Sequence, residues 1–483
     1  MSLGEVITGE QMAVIDANSA ALGVPPKQLM ESAGNAVAHA VRTVVDPAGK
    51  VVIVAGRGNN GGDAFVAARF LDEYDVRVRL LGRAGTITTD IARANWDALR
   101  ESEIDAREVP DSTALDFGEP DLFVDAMLGT GISGALREPM ATAAERMNQS
   151  ETPVLSVDVP SGLDGTTGAL AENAVEADHV VTFHKPKPGL DALDAPVTVA
   201  DIGIPEGAEQ FVERGDLLRL FRPADSHKGD FGEVLVVGGG PYTGAPALSA
   251  QAALRAGADL VRVACPRSVA DEIQGYSENL IVRPFDGERF TPNSVAEVRE
   301  LAAGHDSVVL GPGLGDRENT LVAVQEFLGG YDGVAVVDAD ALQVVPDIET
   351  DASLIATPHQ GELRDMGGET AENWRDRAGL VENFAAKLDH TFLVKGQYDV
   401  LSDGKRTRIN RTGNPGMTVG GTGDVLAGAV GALAATQDPL AAAAIGAYVT
   451  GAAGDRVVDE QGYGLVATDL LDAIPTVMWG EQK

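Results

Sequence analysis

The run Asn414-Pro-Gly-Met-Thr-Val-Gly-Gly-Thr-Gly-Asp424-Val-Leu-Ala-Gly428 carries the densest chemistry in this chain. Four glycines, Gly416, Gly420, Gly421 and Gly423, lead to Asp424, and a small-residue apolar run follows. A glycine-rich loop that opens a helix points several backbone N–H groups at one spot, which also feels the positive end of the helix dipole. Phosphate oxygens suit such a spot. A carboxylate would repel them unless it handles a hydroxyl or a cation beside the phosphate. The stretch therefore reads as a nucleotide-phosphate site with a working acid.

Five further segments in the same half end apolar runs with polar or glycine-rich residues. They are Gly238-Gly-Gly-Pro-Tyr-Thr-Gly-Ala245, Gly311-Pro-Gly-Leu-Gly315, Asp338-Ala-Asp-Ala-Leu342, Thr357-Pro-His-Gln-Gly-Glu362 and Lys395-Gly396. Pro358 and Glu362 suit a helix start. Together these segments set Lys, His, Asp and many backbone N–H groups on one edge. Alone, His359 reads more readily as a surface residue, and Lys395 as an exposed strand end.

The first half has its own constellation. Gly56-Arg-Gly-Asn-Asn-Gly-Gly-Asp63 follows an apolar strand and precedes a helix, where open α/β sheets bind ligands. It lacks the Rossmann glycine spacing and brings two Asn and one Asp to the turn. Asp125 closes Leu122-Phe-Val-Asp and leads into Ala126-Met-Leu-Gly-Thr-Gly131. Asp158 closes Leu155-Ser-Val-Asp and leads into Val159-Pro-Ser-Gly-Leu-Asp-Gly165. Carboxylates at buried strand ends are costly unless they bind something. Asn60, Asp125 and Ser161 offer hard oxygen ligands, which suit an alkali or alkaline-earth cation better than zinc.

These residues need a scaffold of strands and helices. Two helical segments are predicted first, near Thr8 to Leu22 and Lys27 to Val44. Strands are then predicted at Val51 to Ala55, Val76 to Leu81, Leu122 to Val124, Val154 to Val157 and His179 to Phe183. The pattern restarts near residue 228, with strands at Glu233 to Val237, Val308 to Leu310, Val334 to Val337, Leu354 to Ala356 and Thr391 to Val394, and a helix at Asn373 to Lys387. Near-continuous apolar strands separated by helices point to parallel sheets covered on both faces. The fold class is α/β in two domains, with the boundary placed near residue 222 beside Phe221-Arg-Pro-Ala-Asp225, giving 1–222 and 223–483.

Composition agrees. A chain of 483 residues exceeds one ordinary core. Its 73 acids against 37 bases give a net charge of −36, and only nine bases are Lys. The acids are spread along the chain, which disfavours nucleic acid and anionic membranes as partners. Such a surface suits a very salty cytosol, where repulsion is screened within roughly 3 Å; a merely acidic protein is the plainer reading. Cys265 stands alone, so no disulfide forms within the chain and a reducing, cytoplasmic location is expected. The seven His residues show no zinc-ligand spacing. Met1 to Gln11 does not read as a secretory signal, and Val425 to Ala435 is too short and too Gly-rich to span a bilayer.

Asn59-Asn-Gly-Gly-Asp63, Val124-Asp-Ala-Met-Leu-Gly-Thr-Gly131, Asp158-Val-Pro-Ser-Gly-Leu-Asp164 and Leu29-Met-Glu-Ser-Ala-Gly34 resemble the NAD(P)H-hydrate epimerase family. That resemblance implies a Rossmann-like domain in which Asn60, Asp125 and Ser161 bind K+. It implies that Asn59, Asn60, Gly61, Gly62 and Asp63 contact the hydrated nucleotide, as do Gly129, Thr130, Gly131, Ile132, Ser133, Gly134, Ala135 and Asp158. The family usually has Gly where this chain has Ala64.

The second half resembles the ADP-dependent NAD(P)H-hydrate dehydratases of the ribokinase-like group, through Asn414-Pro-Gly-Met, Gly421-Thr-Gly-Asp424, Thr357-Pro-His359 and His227-Lys-Gly-Asp-Phe-Gly232. Thr418-Val-Gly-Gly421 replaces the frequent Ala-Thr-Ala-Gly. The resemblance implies that Ala245, Gly313, His359 and Asp424 contact the hydrate. It implies that Lys395, Gly396, Asn414, Gly416, Gly420, Gly421, Thr422 and Gly423 hold the adenine nucleotide, with ADP preferred to ATP as phosphoryl donor and Mg2+ assisting. Asp424 and Asp158 are the expected catalytic acids of the two domains. The substrates would be the small molecules NADHX and NADPHX, and a homo-oligomer is expected because both family folds usually assemble. Two other readings stay open: a ribokinase-like kinase of a vitamin precursor, and a non-catalytic binding scaffold.

Overall fold

Five consecutive buried residues, Val51 to Ala55, form the centre of the first sheet. The computed structural model describes residues 5–131 and 134–480, in two units, Met1–Ala208 and Glu209–Lys483. The first unit contains β1 (Lys50–Ala55), β2 (Asp75–Leu81), β3 (Asp105–Val109), β4 (Leu122–Ala126), β5 (Val154–Val157), β6 (His179–Phe183) and β7 (Val197–Ala200). Their order is β3-β2-β1-β4-β5-β6-β7, and every neighbouring pair is parallel. The strand order reverses between β1 and β4, and a crevice opens at the carboxyl ends of strands at such a switch.

The second unit contains β8 (Glu233–Val237), β9 (Leu260–Pro266), β10 (Ile281–Phe285), β11 (Ser307–Leu310), β12 (Val334–Val337), β13 (Ser353–Ala356), β14 (Thr391–Val394), β15 (Asp399–Ser402) and β16 (Thr407–Asn410). They run in the order β10-β9-β8-β11-β12-β13-β14-β15-β16. The strands are parallel as far as β14, after which β15 and β16 pair antiparallel. Alternate residues of β8 feed two cores. Val234 and Val236 pack into one face, Leu235 and Val237 into the other. Both faces are therefore covered, which is why this strand is apolar without alternation. The helices Gly244–Arg255, Thr422–Ala434, Pro439–Gln461 and Ala467–Trp479 contribute to the first of these cores.

All ten strands expected from sequence form. Six more do as well: β3, β7, β9, β10, β15 and β16. Four of these lie at sheet edges. β3 reads Asp-Ala-Arg-Glu-Val and β10 contains Pro284, compositions that suit an edge and give little strand signal on their own. The chain divides between Ala208 and Glu209, ahead of the boundary expected near 222. The intervening residues pack against β16: Val212 N donates to Ile409 O at 2.9 Å, and Arg408 pairs with Asp216 at 2.9 Å. Phe221-Arg-Pro resembles a linker in composition, while the packing of Val212 and Leu217 is a tertiary event. Among the described residues, no helix is long and apolar enough to cross a membrane.

Close helix contacts depend on missing side chains. A methyl added at Gly428 would lie 2.0 Å from the Ser249 carbonyl oxygen. Gly428→Ala should lower the thermal midpoint, at a cost of roughly 1–3 kcal/mol. Gly379, exposed in the Trp374–Leu388 helix, would meet nothing within 4 Å. Gly379→Ala should raise the midpoint, by about 0.5–1 kcal/mol. Scanning calorimetry of the two variants checks the opposite signs.

Candidate active sites

In the first unit a cavity of about 480 Å³ lies at the carboxyl ends of the central strands. Asn59, Asn60, Asp63, Gly129, Thr130, Gly131 and Asp158 all line it. The sequence reading treats Asn59 to Asp63 as a loop. The structure makes it the first turn of the Asn59–Arg69 helix, with Gly58 as N-cap. Gly61 is needed for close approach, since a methyl there would fall 2.2 Å from Gly56 O. Ala64 lies inside the same helix and is fully buried, so its replacement of Gly carries no backbone penalty. Gly134 and Ala135 continue the Gly129 loop and are not among the cavity's lining residues. Ile132 and Ser133 lie outside the described residues.

Asp125 is completely buried at the end of β4. One carboxylate oxygen accepts from Ser161 Oγ (2.6 Å) and Met127 N (3.2 Å). The other accepts from Ser156 Oγ (2.9 Å) and Ser161 N (2.8 Å). Burial still raises its pKa, against the pull of these bonds. Asn60 Nδ2 donates to Leu128 O at 2.9 Å, and Leu128 N donates to Ser161 Oγ at 3.0 Å. Asn60 Oδ1 is buried with no partner. A buried amide oxygen without a partner, on a side chain joined through Leu128 to Ser161 and so to Asp125, fits a hard cation such as K+.

Asp158 sits just past β5 with φ +66, a left-handed conformation unusual for Asp. Its Oδ1 accepts from Thr182 Oγ1 at 3.0 Å and lies 2.6 Å from Lys187 Nζ. Lys187 is 1% exposed and lines the cavity, as does Asp16. Neither residue stood out in the sequence. The available signal was a Lys four residues beyond a strand end, before Pro188-Gly189. Burial pushes Asp16 up to about 6 despite the attraction of Lys187. Burial, then repulsion from Asp158, raises Asp63 well above the carboxylate range. Cavity-facing groups thus include a carboxylate paired with a lysine and two acids whose pKa burial raises.

The second unit gathers its residues at adjacent strand ends. Asp338 follows β12, and its Oδ1 accepts from Thr357 Oγ1 (2.7 Å) and Lys395 Nζ (3.1 Å). Lys395 N donates to Pro358 O at 2.9 Å, which joins the ends of β13 and β14. Burial opposes the charge on Lys395, but Asp338 and Glu362 outweigh it and its pKa is raised. The ammonium lies beside the helix Thr422–Ala434: a methyl on Gly423 would be 3.6 Å from it. Gly421 caps that helix at φ +98, a conformation that favours glycine. Asp424 falls in its first turn, as expected. Burial pushes the Asp424 carboxyl up to about 7, helped by repulsion from Asp338 and opposed by Lys395.

Other expected residues are committed within the chain. Asn414 Oδ1 accepts from Gly416 N, and its Nδ2 donates to Asp455, both at 2.9 Å. Thr422 Oγ1 donates to Met417 O at 2.8 Å. These two side chains shape the loop. Gly420 is exposed and Gly421 to Gly423 are partly so. Gly396 N donates to Asp399. His359 caps the Gln360–Asp365 helix, with Nδ1 accepting from Gly361 N and Glu362 N, which leaves the ring proton of the neutral side chain on Nε2. Ala245 opens the Gly244–Arg255 helix. Gly313 lies so close to the Tyr242 carbonyl that a methyl would fall 2.5 Å from it.

A family model described as NAD(P)H-hydrate dehydratase matches residues 234–476. Another, described as YjeF-related protein N-terminus, matches residues 26–189. The bifunctional NAD(P)H-hydrate repair enzyme of Pyrobaculum aerophilum is 44% identical, covering 98% of this chain and 98% of its own. That of Methanothermobacter thermautotrophicus is 42% identical, covering 97% and 94%. A solved structure of a hypothetic protein from Streptococcus mutans is 22% identical with a TM-score of 0.51, covering 57% of this chain and 100% of that one, and it shares the fold of the second unit. The sequence matches run through both units. The chain belongs to the family of bifunctional NAD(P)H-hydrate repair enzymes.

Proposed function

We propose that the second unit dehydrates a C6-hydroxylated nicotinamide nucleotide at the expense of ADP, and that the first unit interconverts its two C6 epimers. The observation that carries the first half is Asp424 in the first turn of a glycine-capped helix, beside Lys395. Hydroxide is a poor leaving group. Asp424 takes the proton of the C6 hydroxyl as that oxygen attacks the terminal phosphorus of the nucleotide. The bond from phosphorus to the bridging oxygen breaks, and the leaving nucleotide keeps its electron pair. Phosphate then departs from C6 and a proton leaves C5, which restores the ring double bond. Loop N–H groups and the Lys395 ammonium stabilise charge on the transferring group. Asp338 holds Lys395 there at 3.1 Å. Mg2+, arriving with the nucleotide, would supply further neutralisation of phosphate charge.

In the first unit the cavity offers Asp158 to the same C6 centre. The hydrate is a hemiaminal, so the C6–O bond can break with its electrons on oxygen while the ring nitrogen lone pair forms a C=N bond. Return of water to the other face inverts C6, with Asp158 passing the proton as acid or base. Asn60, with Asp125 and Ser161, would hold K+, which stiffens the loop and neutralises a buried carboxylate.

Mixing the protein with both epimers of NADH hydrate and following NADH absorbance tests the whole reading. Complete recovery is expected with ADP, less with ATP and none without nucleotide; recovery independent of nucleotide sinks it. Asp424→Ala should lose dehydration turnover by roughly two to four orders of magnitude, while ADP binding by calorimetry survives. The free-enzyme kcat/KM should rise with pH through about 7, as Asp424 loses its proton.

The same shift has a sign for stability. A carboxyl held near 7 in the fold binds its proton more tightly than in the unfolded chain. It therefore costs stability as pH rises toward about 7, and the cost is complete above that. Asp424→Asn should raise the thermal midpoint more at about pH 8.5 than at about pH 5.5. Equal midpoints for variant and parent at both pH values would contradict the assignment.

A further inference from the structure

Asp158 and Lys187 form a more specific device than a buried ion pair. The Lys187 ammonium has three N–H bonds and three acceptors. These are Asp158 Oδ1 at 2.6 Å, Thr182 Oγ1 at 3.0 Å and the Phe183 carbonyl at 3.2 Å. Thr182 accepts from Lys187 and passes its own proton to the same Asp158 Oδ1. One oxygen of Asp158 is thus held by an ammonium and a hydroxyl. Asp158 Oδ2 is the oxygen nearer the opposite wall of the cavity, where a methyl on Gly129 would sit 3.8 Å from it. The backbone at Asp158 is left-handed, with φ +66.

From this geometry we infer that Lys187 is the positioning residue of the epimerisation: it pins Asp158 Oδ1 so that Oδ2 alone exchanges protons with the substrate. The inference rests on the epimerase reading above. Lys187 does not touch the reacting carbon. It fixes the carboxylate rotamer by holding Oδ1. As the C6–O bond breaks, hydroxide is released; as water adds to the other face, Oδ2 takes its proton and hands it to that hydroxide, so water departs and each turnover restores the starting carboxylate. Asp16 from the Gly9–Ala21 helix, Asp63 from the Asn59–Arg69 helix and Arg57 from the turn after β1 are the other charged groups lining the cavity.

The test uses the full chain, with epimer interconversion followed by chromatography of NADH hydrate in the absence of nucleotide. Lys187→Gln keeps a hydrogen-bond donor and removes the charge. It should lower kcat roughly 100-fold or more, change KM by less than about threefold, and move the acid limb of the kcat profile to higher pH. Lys187→Arg, still cationic, should recover part of the rate and bring the limb back. Nucleotide-dependent dehydration of the purified S epimer should stay at the parent's level in both, which reports on folding of the rest of the chain. If the Gln variant lost the N-terminal fold by calorimetry, the Arg variant's acid limb decides alone: parent-like supports the role and displaced overturns it. A parent-like kcat and acid limb in Lys187→Gln removes the inference and leaves the epimerase reading standing. A parent protein that does not interconvert the epimers removes both.

Discussion

A strand-end carboxylate gripped by a lysine, buried Lys187 in one unit and part-buried Lys395 in the other, is the constraint on which both halves of this protein rest. In the first unit Asp158 Oδ1 meets Lys187 at 2.6 Å and Thr182 at 3.0 Å. In the second, Asp338 Oδ1 meets Lys395 at 3.1 Å and Thr357 at 2.7 Å. The pattern is the same: one carboxylate oxygen, one ammonium, one threonine hydroxyl, all at the ends of adjacent parallel strands. Parallel sheets covered on both faces bury everything except those ends. Charge can survive there only in pairs, because an uncompensated ion in that setting costs several kcal/mol.

The pairing leaves a second acid out of each partnership. Asp424 is pushed to about 7 by burial and by Asp338. Asp63 and Asp16 are pushed up by burial beside Asp158. Each site thus holds one carboxylate bonded to a lysine and another whose pKa is raised by burial. Strong shifts of this kind mark places where protons are moved. They are paid for elsewhere in the fold, by the small-residue packing around the Thr422–Ala434 helix and by the parallel core beneath it.

The two units use their glycines differently. Before Asp424 the glycines expose backbone, with Gly421 at positive φ and Gly420 open to solvent. In the Asn59–Arg69 helix Gly61 and Gly62 are buried and serve close packing against Gly56 and Met30. Similar glycine density in sequence therefore serves two purposes, an open backbone at a helix start in one case and a tight helix–strand joint in the other. The side chains of Thr422 and Asn414 tie the open loop together.

Much of this architecture was readable from residues alone. Runs such as Val51 to Ala55 and Val334 to Val337 specify buried parallel strands because their periodicity has no polar face; Asp125 and Asp158 announce themselves as acids at the ends of such runs, and Asp424 as an acid between a glycine-rich loop and an apolar helix. Edge strands such as Asp105–Val109 escaped because an edge tolerates the charge that a central strand cannot. The division at Ala208 escaped because it depends on what Val212 and Arg408 touch, and contacts between residues far apart in the chain leave no local mark. The partner of each acid was likewise invisible. Nothing in the spacing from Asp158 to Lys187 distinguishes a buried ammonium from a surface one. Local sequence determined where strands stop and which side chains stand at their ends. Only the sheet order, by bringing separate strand ends together, decided which acid would be paired and which would be left to carry a proton.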